Sequence, residues 1–549
     1  MPVTDDIVSV LESAGVEHAF GFPCEQMEPY YASLHDADVR HVLARSEASA
    51  AMMADGYART SGSLGVCDGV GGPGAAYLGA GLVEADGASS AVLAFTGDND
   101  RSYRGDEAIQ DADNRAILGP HVSASYDPES PARAVDAVRN AVREAVTGVP
   151  SPVHVNLTED VMEGDADGGP PDAPPATVPA VRPEPDEASV ERIADLLEAA
   201  DAPVILSGEG ALRSRAWDAV GELARRTRTS VVTSMNGKGI VAETEPYAAG
   251  VAGRWGYSQP ANDAVEAADL VVALGARFGE LTTVGWSLVP DDAAIVHVDL
   301  DPHWLGRNYD VDVPVLADVR ATVERVLAAV DESAFADRDG RIETLAAAYD
   351  EWRASHADSL ESEAEPVSPA RVVAEVQRAT PPEALVVSAT SFPGFFSGAF
   401  YQVRDPGIGY IQARGSDGIN VALPQALGAQ MASPDRPVVV LTGDGGVGYH
   451  IADLETAVRE ELPVTVVVFN NGSLGSSKMS MIANWNVDVS TDFAPETDYA
   501  AVARGFGCEG QVVEDPAALP DALDAAVASD EPTLLDVRVD PYAAPPVIV

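Results

Sequence analysis

The sequence predicts an α/β protein of three doubly wound parallel-sheet domains, and three observations carry that prediction. Short β-branched runs alternate with amphipathic helical patterns along nearly the whole chain, the pattern of parallel sheets covered by helices. At 549 residues the chain exceeds what one hydrophobic core accommodates. A tract rich in Pro, Gly, Asp and Ala, with PPDAPPATVPAVRPEP at its centre, and an acidic helical stretch divide it. The divisions fall at 1–165, a semi-rigid linker 166–189, 190–330, a helical connector 331–365, and 366–549.

The first segment carries VEHAFGFP, VRHVLA, LGVCDG, AVLAFTG and PVHVNL as strands between helical patterns. The second carries APVILSG, SVVTSM, LVVALGA and AIVHVDLD. The third opens on LVVSATS and contains the most informative stretch, PVVVLTGDGGVGYHIADLETAVREELPVTVVVFNNGSLG. Residues 438–441 and 464–469 are short, β-branched and bounded by turn residues, so both are buried strands. Ile451, Leu454 and Val458 recur between them at helical spacing. A parallel pair follows, with ligands expected beyond the C-terminal strand ends. Asp444 follows the first strand and Asn471 the second, so the fold brings their side-chain oxygens together. Such oxygens, with a main-chain carbonyl near Ser473, suit Mg²⁺. Gly443, Gly445, Gly446 and Gly448 leave N–H groups bare at a helix start, an arrangement for diphosphate.

Composition narrows the class. The formal charge is −53, yet 46% of residues are hydrophobic, so the chain folds. The acids are spread along it, and Lys238 and Lys478 are its only lysines. Concentrated salt would screen the self-repulsion of such a surface, which points to a halophilic cytoplasm. A polyanionic nucleic acid would be repelled. Cys24, Cys67 and Cys508 are widely spaced and form no CxxC, so neither a disulfide framework nor a zinc site is expected. The first residues are acidic where a signal peptide is basic, and no apolar run is long enough to span a membrane.

GDG, then a helix and a strand, then Asn-Asn resembles the thiamine diphosphate (ThDP) and magnesium motif of ThDP-dependent enzymes. The chain as a whole resembles the branch holding acetolactate synthase large subunits, pyruvate oxidase and 2-oxo acid decarboxylases. The resemblance implies a pyrimidine-binding first domain, a nucleotide-type middle domain and a diphosphate-binding third domain. Within SEASAAMMADGYARTSG (46–62), Glu47 matches the glutamate that touches the aminopyrimidine and drives the 4′-imino tautomer. Gln110 falls where the synthases carry an active-site glutamine. Thr390 and Ser391 match the position where decarboxylases hold the diphosphate, and Ile419 the apolar residue wedged under ThDP. Asp444, Asn471 and Ser473 become the metal ligands, with Gly443, Gly445 and Gly446 beside the diphosphate.

In the middle domain, GEGAL, NGKG, GARFGE and VDLDPHWLGRN match segments that line an FAD site in the synthases, although GxGxxG is absent. FAD is therefore allowed for, with an empty structural domain as the alternative. Arg277 matches an arginine that reaches the second oxo acid. The chain departs from the synthases at Cys24-Glu25 (Gly-Gly there), Glu159 (lysine), Ser480 (the tryptophan that selects the acceptor) and Thr390-Ser391 (Gly-Gln-His). Glu25 instead matches a proton-handling acid of simple decarboxylases.

The first reading is a decarboxylating carboligase for 2-oxo acids, acting as a homo-oligomer with the site at a dimer interface. The resemblance also allows a regulatory small subunit. A simple decarboxylase releasing an aldehyde is the runner-up, and a silent paralogue acting as a binding subunit is the third reading.

Overall fold

The β-branched runs become parallel strands in three six-stranded sheets of a computed structural model that describes residues 2–165, 176–494 and 497–548. The first sheet holds β1 (His18–Gly21), β2 (Arg40–Leu43), β3 (Gly65–Gly69), β4 (Val92–Asp98), β5 (Ala124–Tyr126) and β6 (Pro152–Thr158). The middle sheet holds β7 (Pro203–Ser207), β8 (Ser230–Thr233), β9 (Ala248–Val251), β10 (Leu270–Leu274), β11 (Ala294–Asp299) and β12 (Val313–Leu316). The third holds β13 (Leu385–Ser388), β14 (Tyr410–Gln412), β15 (Val438–Gly443), β16 (Thr465–Asn470), β17 (Glu509–Val513) and β18 (Thr533–Arg538).

The first sheet runs β2-β1-β3-β4-β6-β5, and the third repeats this rank order as β14-β13-β15-β16-β18-β17. The middle sheet runs β12-β11-β10-β7-β8-β9, the doubly wound dinucleotide order read from one edge. Six strands escaped the sequence analysis. Of these, β5, β9, β12, β14 and β17 are edge strands, and β12 and β17 expose alternate residues, so neither forms a continuous apolar run. Inner strand β18 is interrupted by Asp536, whose carboxylate accepts hydrogen bonds from Asn470 Nδ2 (2.8 Å) and Tyr499 N (3.0 Å).

Part of the expected linker, 166–175, lies outside the described residues. The rest is no free tether. Ala176 N donates to Ala14 O and Val178 N to Gly62 O, both at 2.9 Å, and a helix already starts at Glu187. After the middle sheet, helices Asp339–Ser355 and Ala357–Leu360 lead toward the third sheet. Among the described residues no helix is long and apolar enough to cross a membrane. Nor does any group of three His, Cys, Asp or Glu side chains offer a metal site there, and the three cysteines are free.

Seven helices position the chemistry: α1 (Glu47–Ser61), α2 (Pro73–Gly87), α3 (Phe392–Phe400), α4 (Ala422–Ala432), α5 (Asp444–His450), α6 (Asp453–Arg459) and α7 (Gly475–Trp485). The helical pattern expected around 451–458 is α6, and a separate helix, α5, precedes it. The break between them turns Asp453 toward the first domain, where Ser49 Oγ (2.5 Å) and Arg45 N (3.3 Å) donate to its carboxylate.

Helices α1 and α4 follow the second-ranked strand of their respective sheets and pack against each other. A Cβ at Gly56 would collide with the Gln425 carbonyl, and one at Gly428 with the Met53 carbonyl. One continuous core results, with Val42 and Leu78 of the first domain and Val387 and Val440 of the third all buried in it.

A polar cluster fastens the same seam. Glu84 of α2, fully buried, accepts from Gly415 N (2.9 Å), Ser416 N (2.6 Å) and Ser416 Oγ (2.8 Å). Arg59 lies 3.7 Å from Glu84, 3.9 Å from Asp55 and 3.0 Å from Glu209 of the middle domain. Burial raises the carboxyl pKa of Glu84 and Asp55. Burial opposes ionisation of Glu209 too, but Arg59 and Arg213 hold it below its ordinary value.

Because the α1–α4 contact is backbone against Cα, Gly428→Ala should cost about 1–3 kcal/mol through overpacking. Urea denaturation measures this, and an unchanged midpoint would show that the two helices can separate without penalty.

Candidate active site

Strands β15 and β16 pair in register down to Gly443 opposite Phe469, so the segments that follow them emerge side by side. Asp444 starts α5; its Oδ1 accepts from Gly445 N (2.8 Å) and its Oδ2 from Ser473 N (3.2 Å). Asn471 Oδ1 accepts from the same Ser473 N (3.0 Å) and from Ser473 Oγ (3.3 Å). A carboxylate, an amide oxygen and a hydroxyl therefore meet in one cluster, a donor set for a hard cation. Burial pushes the Asp444 carboxyl up to about 6. Nearby cationic charge would return it to the ionised form.

This cluster forms one wall of a cleft that Thr390, Ser391, Ile419, Gly443, Gly445 and Gly446 also line. Ser391 caps α3 with φ 68°, a strained value for a residue with a side chain. Thr390 Oγ1 donates to Asp417 O (3.2 Å), tying the end of β13 to the loop that carries Ile419. The Ile419 carbonyl occupies the space a Cβ on Gly446 would need. Of the residues proposed from sequence for diphosphate and metal, all but Gly448 line this cleft.

A second cluster sits at the C-terminal edge of the first sheet. Glu47 is the first residue of α1, behind the N-cap Ser46, whose hydroxyl accepts from Ser49 N (3.1 Å). Gly69 and Gly74 close on its side chain, which is only 8% exposed. Burial raises its pKa, and the Asp68 charge adds to the effect. The turn after β3 gathers the other candidates. The Gln110 carbonyl lies against Gly72, and exposed Glu25 precedes Gln26, whose Oε1 accepts from Gly71 N (3.0 Å).

Sequence reasoning missed the amides that hold this turn. Asn114 Oδ1 accepts from Gly72 N (2.8 Å), and its Nδ2 donates to Asn156 Oδ1 (2.9 Å). Gln26 Nε2 donates to Asn99 Oδ1 (3.3 Å). Each is a lone amide in an unremarkable context, and only cross-strand proximity shows the network.

Glu47 is not among the residues lining the Asp444 cleft of its own chain. Both sides present large exposed apolar side chains, Tyr77 and Ile109 in the first domain, Tyr449 and Trp485 in the third. Two tentative substrate residues also stand outside the cleft. Arg277 donates to Gly87 O (2.7 Å) and Ser89 Oγ (2.5 Å) and stacks over Trp304. Ser480 is exposed on α7 and accepts from Asn484 Nδ2 (3.3 Å).

Arg277 instead lines a cavity of about 320 Å³ at the C-terminal ends of β7 and β10, the switch point of the middle sheet. Gly208, Asn236, Gly275, Asp299 and Trp304 line it too, so the four segments singled out in the middle domain do meet. Among the described residues its buried Arg213 Nε and Asn236 Oδ1 have no hydrogen-bond partner. That lining fits a polar extended ligand such as a dinucleotide.

Comparison with known proteins agrees with this layout. Residues 1–117 match the thiamine pyrophosphate enzyme N-terminal TPP binding domain, 190–326 the central domain and 394–537 the C-terminal TPP binding domain. The chain is 31% identical over 546 residues to an acetolactate synthase large subunit of Parasynechococcus marenigrum, covering 97% of this chain and 86% of that one. It is 29% identical over 559 residues to a probable acetolactate synthase large subunit of Methanococcus aeolicus (98% and 92%). Against the acetolactate synthase isozyme 3 large subunit of Escherichia coli it is 28% identical over 541 residues (97% and 94%). The chain belongs to the thiamine diphosphate-dependent enzymes, in the acetolactate synthase large subunit-like family.

Proposed function

We propose that the protein is a ThDP- and Mg²⁺-dependent carboligase that decarboxylates a 2-oxo acid and joins the remaining fragment to a second carbonyl compound. The observation that carries this is the meeting of Asp444, Asn471 and Ser473 in the cleft beyond β15 and β16. The named relatives, all acetolactate synthases, support ligation over simple aldehyde release.

Bound ThDP supplies an electron sink that makes the carboxylate of a 2-oxo acid expendable. The rest falls to this chain's residues. Asp444, Asn471 and Ser473 would hold Mg²⁺, and the Gly446 N–H would serve the diphosphate. Ile419 supports the coenzyme from below, with Thr390 fixing its loop. Glu47 holds a proton at the pyrimidine N1′, a task that a carboxyl of raised pKa suits. Glu25 and Gln110 stand at the approach, Glu25 as a proton donor to the product-forming carbon.

Since Glu47 and Asp444 belong to separate half-sites of one chain, two copies complete each other's sites. The relatives are named large subunits, which leaves room for a regulatory small subunit here. The middle-domain cavity takes FAD as a structural cofactor. Free cysteines and the −53 charge fit a salt-rich cytoplasm.

Pyruvate incubated with the protein, ThDP and Mg²⁺ should give acetolactate, and Glu47→Gln should lower turnover at least 100-fold, on the scale of losing a general acid–base group. Acetaldehyde as sole product, or full activity in the variant, counts against the reading. Asp444→Ala should abolish Mg²⁺-dependent ThDP binding in calorimetry, and retained tight binding refutes the ligand assignment. Raising KCl from about 0.1 to about 1 M shortens the Debye length from about 10 to about 3 Å and should raise the melting temperature. A fall would argue against the halophilic reading.

A further inference from the structure

A second cavity, also about 320 Å³, lies at the seam of all three domains. It shares Glu209, Arg213 and Asn236 with the middle-domain cavity, so these residues form a partition between the two. The partition is hydrogen-bonded, with Asn236 Nδ2 donating to Glu209 Oε2 (2.8 Å) and Arg213 paired to Glu209 (3.2 Å).

The charges on its walls are unequal in kind. The Arg59 charge is already met by Asp55, Glu84 and Glu209. Arg215 and Arg436 differ. Arg215 donates to Ser61 O (2.6 Å), and Arg436 to Glu383 O (2.7 Å) and Ile408 O (2.8 Å). Among the described residues neither has a carboxylate within 4.0 Å. Carbonyls orient both guanidiniums at the cavity wall without an ion pair, and the Asp405 and Glu383 carboxylates act on Arg436 only from beyond 4.0 Å. In a chain with 34 basic and 87 acidic residues, arginines without an ion pair converging on one cavity mark a place for an anion.

The cavity asks for more than charge. Glu383 and Asp405 also line it, so its ligand must bring hydrogen-bond donors as well as negative oxygens. Thr60 Oγ1, buried in its lining, has no hydrogen-bond partner among the described residues. Trp217 and Tyr410 contribute rings, and Leu212 and Ile411 an apolar wall.

We propose that this three-domain cavity binds a nucleoside phosphate, with the phosphate on Arg215 and Arg436, the sugar hydroxyls toward Glu383 and Asp405, and the base against Trp217. The inference stands on this cavity alone and does not depend on the carboligase reading. Because first, middle and third domains all contribute, the ligand would fasten the three together.

The test is calorimetric titration of AMP into the full-length protein saturated with ThDP and Mg²⁺, with adenosine and inorganic phosphate titrated separately. One saturable AMP site per chain is expected, with adenosine and phosphate each at least tenfold weaker. Arg436→Gln and Arg215→Gln should each weaken AMP at least tenfold. Arg215 is exposed, so R215Q keeps the test valid if R436Q, which loses two carbonyl contacts, fails to fold. Trp304→Ala, confined to the neighbouring cavity, should leave AMP binding unchanged. The proposal is overturned by no saturable AMP binding or by unaltered affinity in R215Q. It is equally overturned by phosphate or adenosine binding as tightly as AMP, or by loss of AMP binding in Trp304→Ala.

Discussion

The reciprocal contact of α1 with α4, Gly56 over the Gln425 carbonyl and Gly428 over the Met53 carbonyl, is the constraint on which the arrangement of the molecule rests. Missing Cβ atoms let two helices touch backbone to backbone, and the first and third sheets then share a single core. Both helices occupy the same place in sheets of the same rank order, so the contact relates two similar halves. It has a functional consequence. Glu47 opens α1, while Ile419 lies three residues before α4, so fixing these helices sets where each of the two residues stands. Glu47 does not line the Asp444 cleft of its own chain.

Polar groups add specificity to the apolar seam. Glu84 accepts three hydrogen bonds from the 415–416 loop, and Arg59 joins Asp55, Glu84 and Glu209 from separate segments. Burying so many charges is costly unless each is partnered, and removal of one strands the others. The same loop then passes through Asp417, which accepts from Thr390, to Ile419 in the cleft. Interdomain packing and the Asp444 cleft are thus parts of one hydrogen-bonded path. Arg414, at the start of that loop, lines the middle-domain cavity, so the path also reaches that cavity.

Much of this was legible in the chain. The GDG and Asn-Asn segments, spaced by one helix-length and flanked by β-branched runs, determined that Asp444 and Asn471 would meet, because parallel strands deliver their C-terminal ends to one edge. Glu47 at a helix start after a strand was readable for the same reason. Edge strands β12 and β17 were not, since half-exposed strands carry no continuous apolar signal, and the break between α5 and α6 left none either.

Only the tertiary structure could decide contacts between residues far apart in sequence. The Gln26, Asn114 and Asn156 network, the diversion of Arg277 to Gly87 and Ser89, and the exposure of Ser480 depend on which loops lie across from one another. The three-domain cavity is of the same kind, assembled from segments that no local pattern links. Local spacing determines which strand end bears an oxygen or an acid, because backbone periodicity is a property of neighbours. What that group finally touches is set by packing between domains, where the free energy belongs to surfaces and not to motifs.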